Sequence, residues 1–382
     1  MDKKLIHLIS VTYQNYGSIL QTYALQNTVR KLGYNTLIVA YCESGLRKFL
    51  RLLNKEYAET RFRMLIKHIR LILKGKTFNN NLKARSNSFS DFIQQYLFLS
   101  KRYTNLNDIK KDSYNWDTVL LGSDQVWHPI NYEMHFFTLE FVNSMSRKIA
   151  YAPSFGVSTI PSKYIAKYER FLGNFTYLSC REDVGIDLIK KISGREATHV
   201  CDPTLLMTPN EWRDAFSFAK IYDNPYLFVY LMGNNANHRI LAKKYADKNR
   251  LKIVALTHID EYVKSDDGYA DYTPFKVGPS EFLSLIYNAS AVITDSFHAS
   301  VFSLLFHKIF YTFNRFESGI GSSTTSRIDS LLSMAGVLER KVKNDATLKD
   351  MESIKGIEWE KVDINLSIFR DHSVQYLKTI LA

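Results

Sequence analysis

The residue best placed to do chemistry is His298, in the run Thr294-Asp295-Ser296-Phe297-His298. The apolar Ala291-Val292-Ile293 before it reads as a buried strand. Thr294-Asp295-Ser296 supplies the small polar groups that open a helix, and Val301, Leu304 and Leu305 give that helix an apolar face. His298 therefore falls in the first turn, beside unpaired backbone N–H groups that favour anions. An imidazole ordinarily titrates near neutrality, so it can both give and take a proton. The plainer role is a core histidine bonded to a neighbouring carbonyl; the hydroxyl-rich corner at a strand end favours a ligand role.

Other residues share that kind of position. Arg181 follows the strand Thr176–Cys180 and precedes a helix, where a guanidinium can grip a carboxylate or phosphate with two bonds. Its competing role is an ion pair with Glu182 or Asp183. Ser123 and Asp124 lie in a polar turn at the end of the strand Trp116–Leu121, where the plainer role of Asp124 is to cap its own backbone. Asn15 and Gly17 lie in the loop after the first strand, and Gly233 in the turn after Tyr226–Leu231. Arg315 and Arg327 lie in or beside loops that lead into helices. Among the other histidines, His258 ends the strand Lys252–Thr257 and is a second-choice acid. His128 suits packing or hydrogen bonding, and His307 suits a helix C-terminus. The acids are scattered, and no His/Asp/Glu cluster has metal-ligand spacing.

The elements that must position these residues alternate as strand and helix. Leu5–Val11, a helix opened by the capping-box spacing Ser18-Ile19-Leu20-Gln21 and closed by Gly33, and the strand Asn35–Ala40 form a βαβ opening. That implies a parallel sheet with its ligand edge at the strand C-termini. The first loop has Gly17 and not three glycines, so no nicotinamide cofactor is indicated. Two βα series follow: residues 1–203 as an N-terminal Rossmann-like domain and 226–362 as a C-terminal one. The linker is 204–225, and a helix over 363–382 returns across the domains. Residues 44–98 read as an inserted basic helical hairpin, with a polar break at Lys74–Ser90. The fold class expected is α/β, two Rossmann-like domains facing a cleft.

Composition bounds the rest. A chain of 382 residues is too long for one compact core. Hydrophobic residues at 46% and aromatics at 14% describe a packed globular protein. No apolar run is long enough to span a bilayer, and the N-terminus reads as a first strand rather than a signal peptide. Cys42, Cys180 and Cys201 suit a reducing compartment, so a cytoplasmic location is expected. The net charge of +12 is local: residues 44–85 hold twelve Lys and Arg against Glu56 and Glu59. That argues against a nucleic-acid binder basic over its whole surface. The segment reads as a solvated face, or as peripheral contact with an anionic inner membrane surface through 44–85.

Five blocks in order carry a resemblance: Asn15-Tyr16-Gly17-Ser18, Gly122-Ser123-Asp124-Gln125-Val126-Trp127, Ser179-Cys180-Arg181-Glu182-Asp183, Cys201-Asp202-Pro203-Thr204 and Thr294-Asp295-Ser296-Phe297-His298. Together they resemble the polysaccharide pyruvyl transferase family, from near residue 10 to about residue 335. The resemblance implies a GT-B-like layout and a transferase of exopolysaccharide, capsule or cell-envelope synthesis. Phosphoenolpyruvate would be a co-substrate rather than a bound cofactor. The acceptor would be a saccharide, free or lipid-linked, and the product a pyruvate ketal. His298 would then be the catalytic acid and Asp124 a base for the acceptor hydroxyl. Arg181, Ser296, Arg315, Arg327, Asn15, Gly17, Ser123 and Gly233 would line the substrate. Some family members carry an Arg two residues before the His; Ser296 stands there in this chain, and Arg327 or Arg315 would replace that charge. The alternative is a GT-B glycosyltransferase using a nucleotide-sugar donor, for which Glu281 or Asp295 would have to hold a ribose. A non-catalytic scaffold or lectin-like protein on the same fold is a third reading.

Overall fold

The structure, a computed structural model, describes residues 3–45, 76–132, 134–258, 262–315 and 325–382, with residues 59, 62, 65, 66, 69 and 73 between. The first part of the expected basic insert, 46–58, and loop residues 316–324 lie outside the described residues.

Short runs of apolar residues, flanked by helices on both faces, form parallel sheets because both sides of each strand are buried. β1 (Leu5–Ile9), β2 (Asn35–Ile38), β3 (Thr118–Leu121) and β4 (Arg147–Ala150) pair in the order β2-β1-β3-β4. β5 (Ser179–Cys180) and β6 (Thr198–His199) extend this side through a bridge between Ile149 and Tyr177. The second sheet, β11-β10-β9-β7-β8, contains β7 (Tyr226–Tyr230), β8 (Lys252–Ala255), β9 (Ala291–Thr294), β10 (Ile309–Phe313) and β11 (Lys341–Val342). All these pairings are parallel. The two-Rossmann-domain α/β architecture expected from the sequence is the architecture observed.

Helix α1 (Tyr16–Lys31) starts earlier than Ser18. Asn15 is the cap: its Oδ1 accepts the Ser18 amide at 3.1 Å. A side-chain amide oxygen one turn upstream satisfies the orphan donor that the Ser18 spacing had suggested for Ser18 itself. Gly33, at φ +98°, ends the helix in the left-handed region as expected.

The expected polar break at Lys74–Ser90 is also overturned. The structure has a continuous helix α2 (Lys76–Tyr96) there. Tertiary packing overrides its polar composition, because α2 lies against the second domain. Arg85, counted in the basic surface, is buried and donates to the carbonyls of Thr257, Pro274 and Phe275 at 3.0, 2.9 and 3.2 Å. Phe78 meets Phe275 edge-on.

One apolar cluster runs from the first sheet into the second. Tyr16 of α1 stacks on Phe282 of α3 (Pro279–Tyr287) at 4.6 Å and donates to the Val277 carbonyl at 3.0 Å. The last helix, α4 (Trp359–Leu381), packs back on the first domain: Ser373 Oγ accepts the Cys201 amide, and Arg370 donates to the Leu205 carbonyl.

Candidate functional site

The carboxyl ends of β3, β5 and β9 and the N-terminus of α1 converge on one buried cluster. His298 enters it from α5 (Phe297–Leu305). Ser296 caps that helix, accepting the Ala299 amide, and its own amide donates to Thr294 Oγ1 at 3.0 Å. The Ser296 hydroxyl is thus engaged in holding the helix start that carries His298.

Across the domain boundary His298 meets Gly17 and Asp202. A Cβ built on Gly17 would lie 1.9 Å from His298 Nδ1, so only glycine lets the imidazole lie against α1. His298 Nε2 stands 3.5 Å from Asp202 Oδ2 and is buried without a hydrogen bond among the described residues.

Asp202 is the hub of the cluster. Its Oδ1 accepts the Thr204 amide at 3.0 Å and hydroxyl at 2.6 Å. Its Oδ2 accepts Arg181 Nη1 at 2.5 Å and Ser123 Oγ at 3.3 Å. Burial alone would raise its pKa, but His298, Arg181 and the Thr204 bond outweigh that and hold it well below the usual carboxylate range.

Arg181 is buried, with Nη2 3.8 Å from Asp124 Oδ1 and Nε 3.9 Å from Glu182 Oε2. Its guanidinium carbon lies 4.5 Å from the centre of the Phe297 ring. The sequence left open whether Arg181 meets a ligand or its neighbouring acids; it meets Asp202 most closely, and Glu182 only at long range. Glu182 Oε1 accepts Ser154 Oγ and the Phe155 amide at 2.8 and 3.0 Å.

Asp124 sits at φ +79°, a left-handed conformation that costs a non-glycine residue about 1 kcal/mol. Its Oδ2 accepts the Ser18 hydroxyl and its Oδ1 its neighbour's amide, Gln125, at 2.8 Å. Burial pushes its pKa up, but Arg181, His298, Ser18 and Arg327 together bring it below the usual value. An ionised carboxylate with both oxygens engaged orients its neighbours better than it accepts a proton.

Arg327 lies in α6 (Thr325–Ala335), buried, 5.9 Å from the Phe297 ring centre. Burial first, and then repulsion from Arg181, lower its pKa to about 10. Its Nε, like Arg181 Nε and Nη2, makes no hydrogen bond among the described residues. Arg315 is held differently: Nη2 points to Met232 Sδ at 3.2 Å, and Nε is 3.9 Å from Asp295. Asp295 accepts the Met232 and Gly233 amides at 2.7 Å each, so it fixes the loop after β7.

The structure therefore brings together His298, Gly17, Ser123, Asp124, Arg181 and Arg327. Asn15 acts one turn away as the α1 cap, and Gly233 belongs to the neighbouring Asp295–Arg315 group. His258 has both nitrogens occupied, by Asp266 at 2.7 Å and the Met232 carbonyl at 2.9 Å. It lines a separate cavity of about 290 Å³ with Thr257 and Tyr262. That arrangement clamps a loop and removes it as an alternative acid. His307 pairs with Asp363 at 2.8 Å, and His128 Nδ1 accepts the Ile130 amide.

Sequence reasoning missed Asp202, Glu182, Ser18 and Phe297 as members. Asp202 carried a signal, since Asp202-Pro203 follows a strand just as Arg181 does. Ser18 and Phe297 stand in the quoted blocks Asn15–Ser18 and Thr294–His298, but their contacts with Asp124 and Arg181 come from packing between residues far apart in the chain.

Two Rossmann-like domains that build one site from both facing strand edges define a GT-B-like enzyme scaffold. The S. aureus MnaA–UDP co-structure superposes with a TM-score of 0.51 at 10% identity, covering 100% of this chain and 97% of that one. The UDP-GlcNAc 2-epimerase of Methanocaldococcus jannaschii gives 0.48 at 13% identity, covering 97% and 93%. A glycosyltransferase from Rickettsia africae ESF-5 gives 0.49 at 11%, covering 100% and 99%. At such identities the likeness concerns fold. A polysaccharide pyruvyl transferase family model matches residues 15–315, and the chain belongs to that family. No curated protein matches it. Among the described residues no helix is long and apolar enough to cross a membrane.

Proposed function

We propose that the protein transfers pyruvate from phosphoenolpyruvate to two hydroxyls of a saccharide, free or lipid-linked, forming a ketal and releasing phosphate. The observation that carries this reading is the pair Arg181 and Arg327. Arg327 is buried and repelled by Arg181, and its Nε, with Arg181 Nε and Nη2, makes no hydrogen bond among the described residues, so an anion bound here would relieve the cost that Arg327 bears. Phosphoenolpyruvate brings a phosphate and a carboxylate to it.

Membership of the family supports the following course. A proton is added to the donor methylene, which becomes the methyl group, and the first sugar hydroxyl bonds to the adjacent carbon and loses its proton. Phosphate departs, and the second hydroxyl closes the ketal, its proton leaving with the phosphate. His298 is the group that moves these protons. Asp202 and Gly17 fix its ring, and Asp124 holds Ser18 and balances the arginines. No metal enters this account.

The test is phosphate release from phosphoenolpyruvate with galactose-, glucose- and mannose-type acceptors, for wild type and His298→Ala. The reading expects acceptor-dependent release that falls by about 10²–10⁴-fold in the variant. A parallel melting titration compares phosphoenolpyruvate with uridine and guanosine diphosphates, since a true ligand raises the melting point by mass action. Stabilisation by a nucleotide alone would replace this reading with a nucleotide-sugar glycosyltransferase.

A further inference from the structure

We propose that the apolar stripe Phe62, Leu65, Ile69 and Leu73 docks the protein on an anionic phospholipid surface. Phe62, Leu65 and Ile69 have helical backbone, and the Leu73 amide bonds to the Ile69 carbonyl at 3.1 Å. Steps of three and four residues put these side chains on one side of a helix. All four face outward, with 64%, 53%, 47% and 78% of their surface exposed. A buried core does not explain that side, because it is turned away from the core.

Charge decides what covers it. Between residues 59 and 76 the sequence holds Arg61, Arg63, Lys67, Arg70, Lys74 and Lys76 against the single acid Glu59. Apolar residues at helical spacing with cations interleaved in the sequence are the pattern of a helix that lies in the plane of a membrane interface, where anionic headgroups meet cations and acyl chains meet apolar side chains. A second copy of this chain would bring like charges together instead. The buried Arg85 is not part of this surface. It ties α2, which begins at Lys76, to the second domain.

The experiment is flotation of the full chain with vesicles of phosphatidylcholine alone, and of phosphatidylcholine with phosphatidylglycerol, at low and high salt. The expected result is binding to the anionic vesicles only, weakened by salt. Leu65→Ser with Ile69→Ser should lower the partition coefficient by about tenfold or more, with an unchanged melting point, since both side chains are already in water. A Phe62→Trp reporter should shift its emission to the blue on anionic vesicles. Flotation unaffected by the double serine variant would overturn the proposal in favour of charge alone. No flotation of the folded wild type would overturn it as well. So would a dimer in sedimentation that the double variant abolishes, which would assign the stripe to a second copy.

Discussion

Gly17 of the first domain and His298 of the second lie in direct contact, with no room between them for a methyl group. The contact sets the position of the imidazole from both sides of the domain boundary. Gly17→Ala should lower stability by about 1–3 kcal/mol, as overpacking does, and cut activity severely. The backbone at Gly17 is not left-handed, and the three atoms nearest an added Cβ all belong to the His298 ring. In the His298→Ala background the added methyl should be tolerated. Denaturant unfolding of the two single variants and the double variant measures that coupling. Additive losses would show that the two residues do not touch.

Arg181 and Arg327 look alike in sequence but should behave oppositely. Arg181 neutralises the buried Asp202 carboxylate, so Arg181→Gln should cost about 3–5 kcal/mol. Arg327 is repelled by Arg181, so Arg327→Gln should leave stability unchanged or slightly higher. It should nonetheless raise the KM for phosphoenolpyruvate at least about tenfold, the loss of roughly one charged hydrogen bond. Unfolding midpoints and KM measured together separate the two roles. A large stability loss in Arg327→Gln would contradict the assignment.

Arg85→Ala should destabilise the protein by about 3 kcal/mol. It removes a buried guanidinium from three carbonyls of the second domain; Phe275 keeps the Val277 amide at 2.8 Å, while Thr257 and Pro274 lose the donor that Arg85 supplies. Arg85→Lys should recover only part of this, because an ammonium cannot reproduce the planar fork. A melting point unchanged in Arg85→Ala would mean that α2 does not dock as described.

Stability should fall on mild acidification. His7, stacked on Trp116 at 4.1 Å, and His238, stacked on Phe313 at 4.2 Å, are both buried, and burial lowers each pKa to about 4. Unfolded, each would take up a proton near pH 6.5. Between about pH 4 and about pH 6.5 the unfolded chain therefore binds more protons, and stability rises with pH across that window. Each residue contributes up to about 3 kcal/mol at the acid end. His7→Phe should flatten the slope of unfolding free energy against pH. The depressed carboxyl of Asp202 adds to the slope only at the acid end of this window, below about pH 5, where the unfolded carboxyl starts to take up its proton and the folded one does not.

Much of the fold was legible in the sequence, because strand and helix periodicities in parallel α/β domains are regular and their strands are short apolar runs. β9, the corner at Ser296 and the helix bearing His298 follow directly from Ala291–Leu305. α2 was not legible: polar residues such as Asn79, Asn80 and Asn81 suggest a break, and the forces that keep it helical come from the second domain. The same holds for the site. Arg181, Asp124 and His298 were recognisable from their places at strand ends. The Gly17–His298 contact and the hub role of Asp202 were not, because each depends on residues far apart in the chain.

The apolar seam around Tyr16, Phe282 and Val277 bears on how such proteins diverge. Either domain, transplanted into a relative, would carry only half of that seam and half of the His298 cluster. Exchange of whole domains is then a poor route to new acceptor preference. Change is expected to accumulate instead in the loops at the two facing strand edges, at positions outside the seam and the His298 cluster.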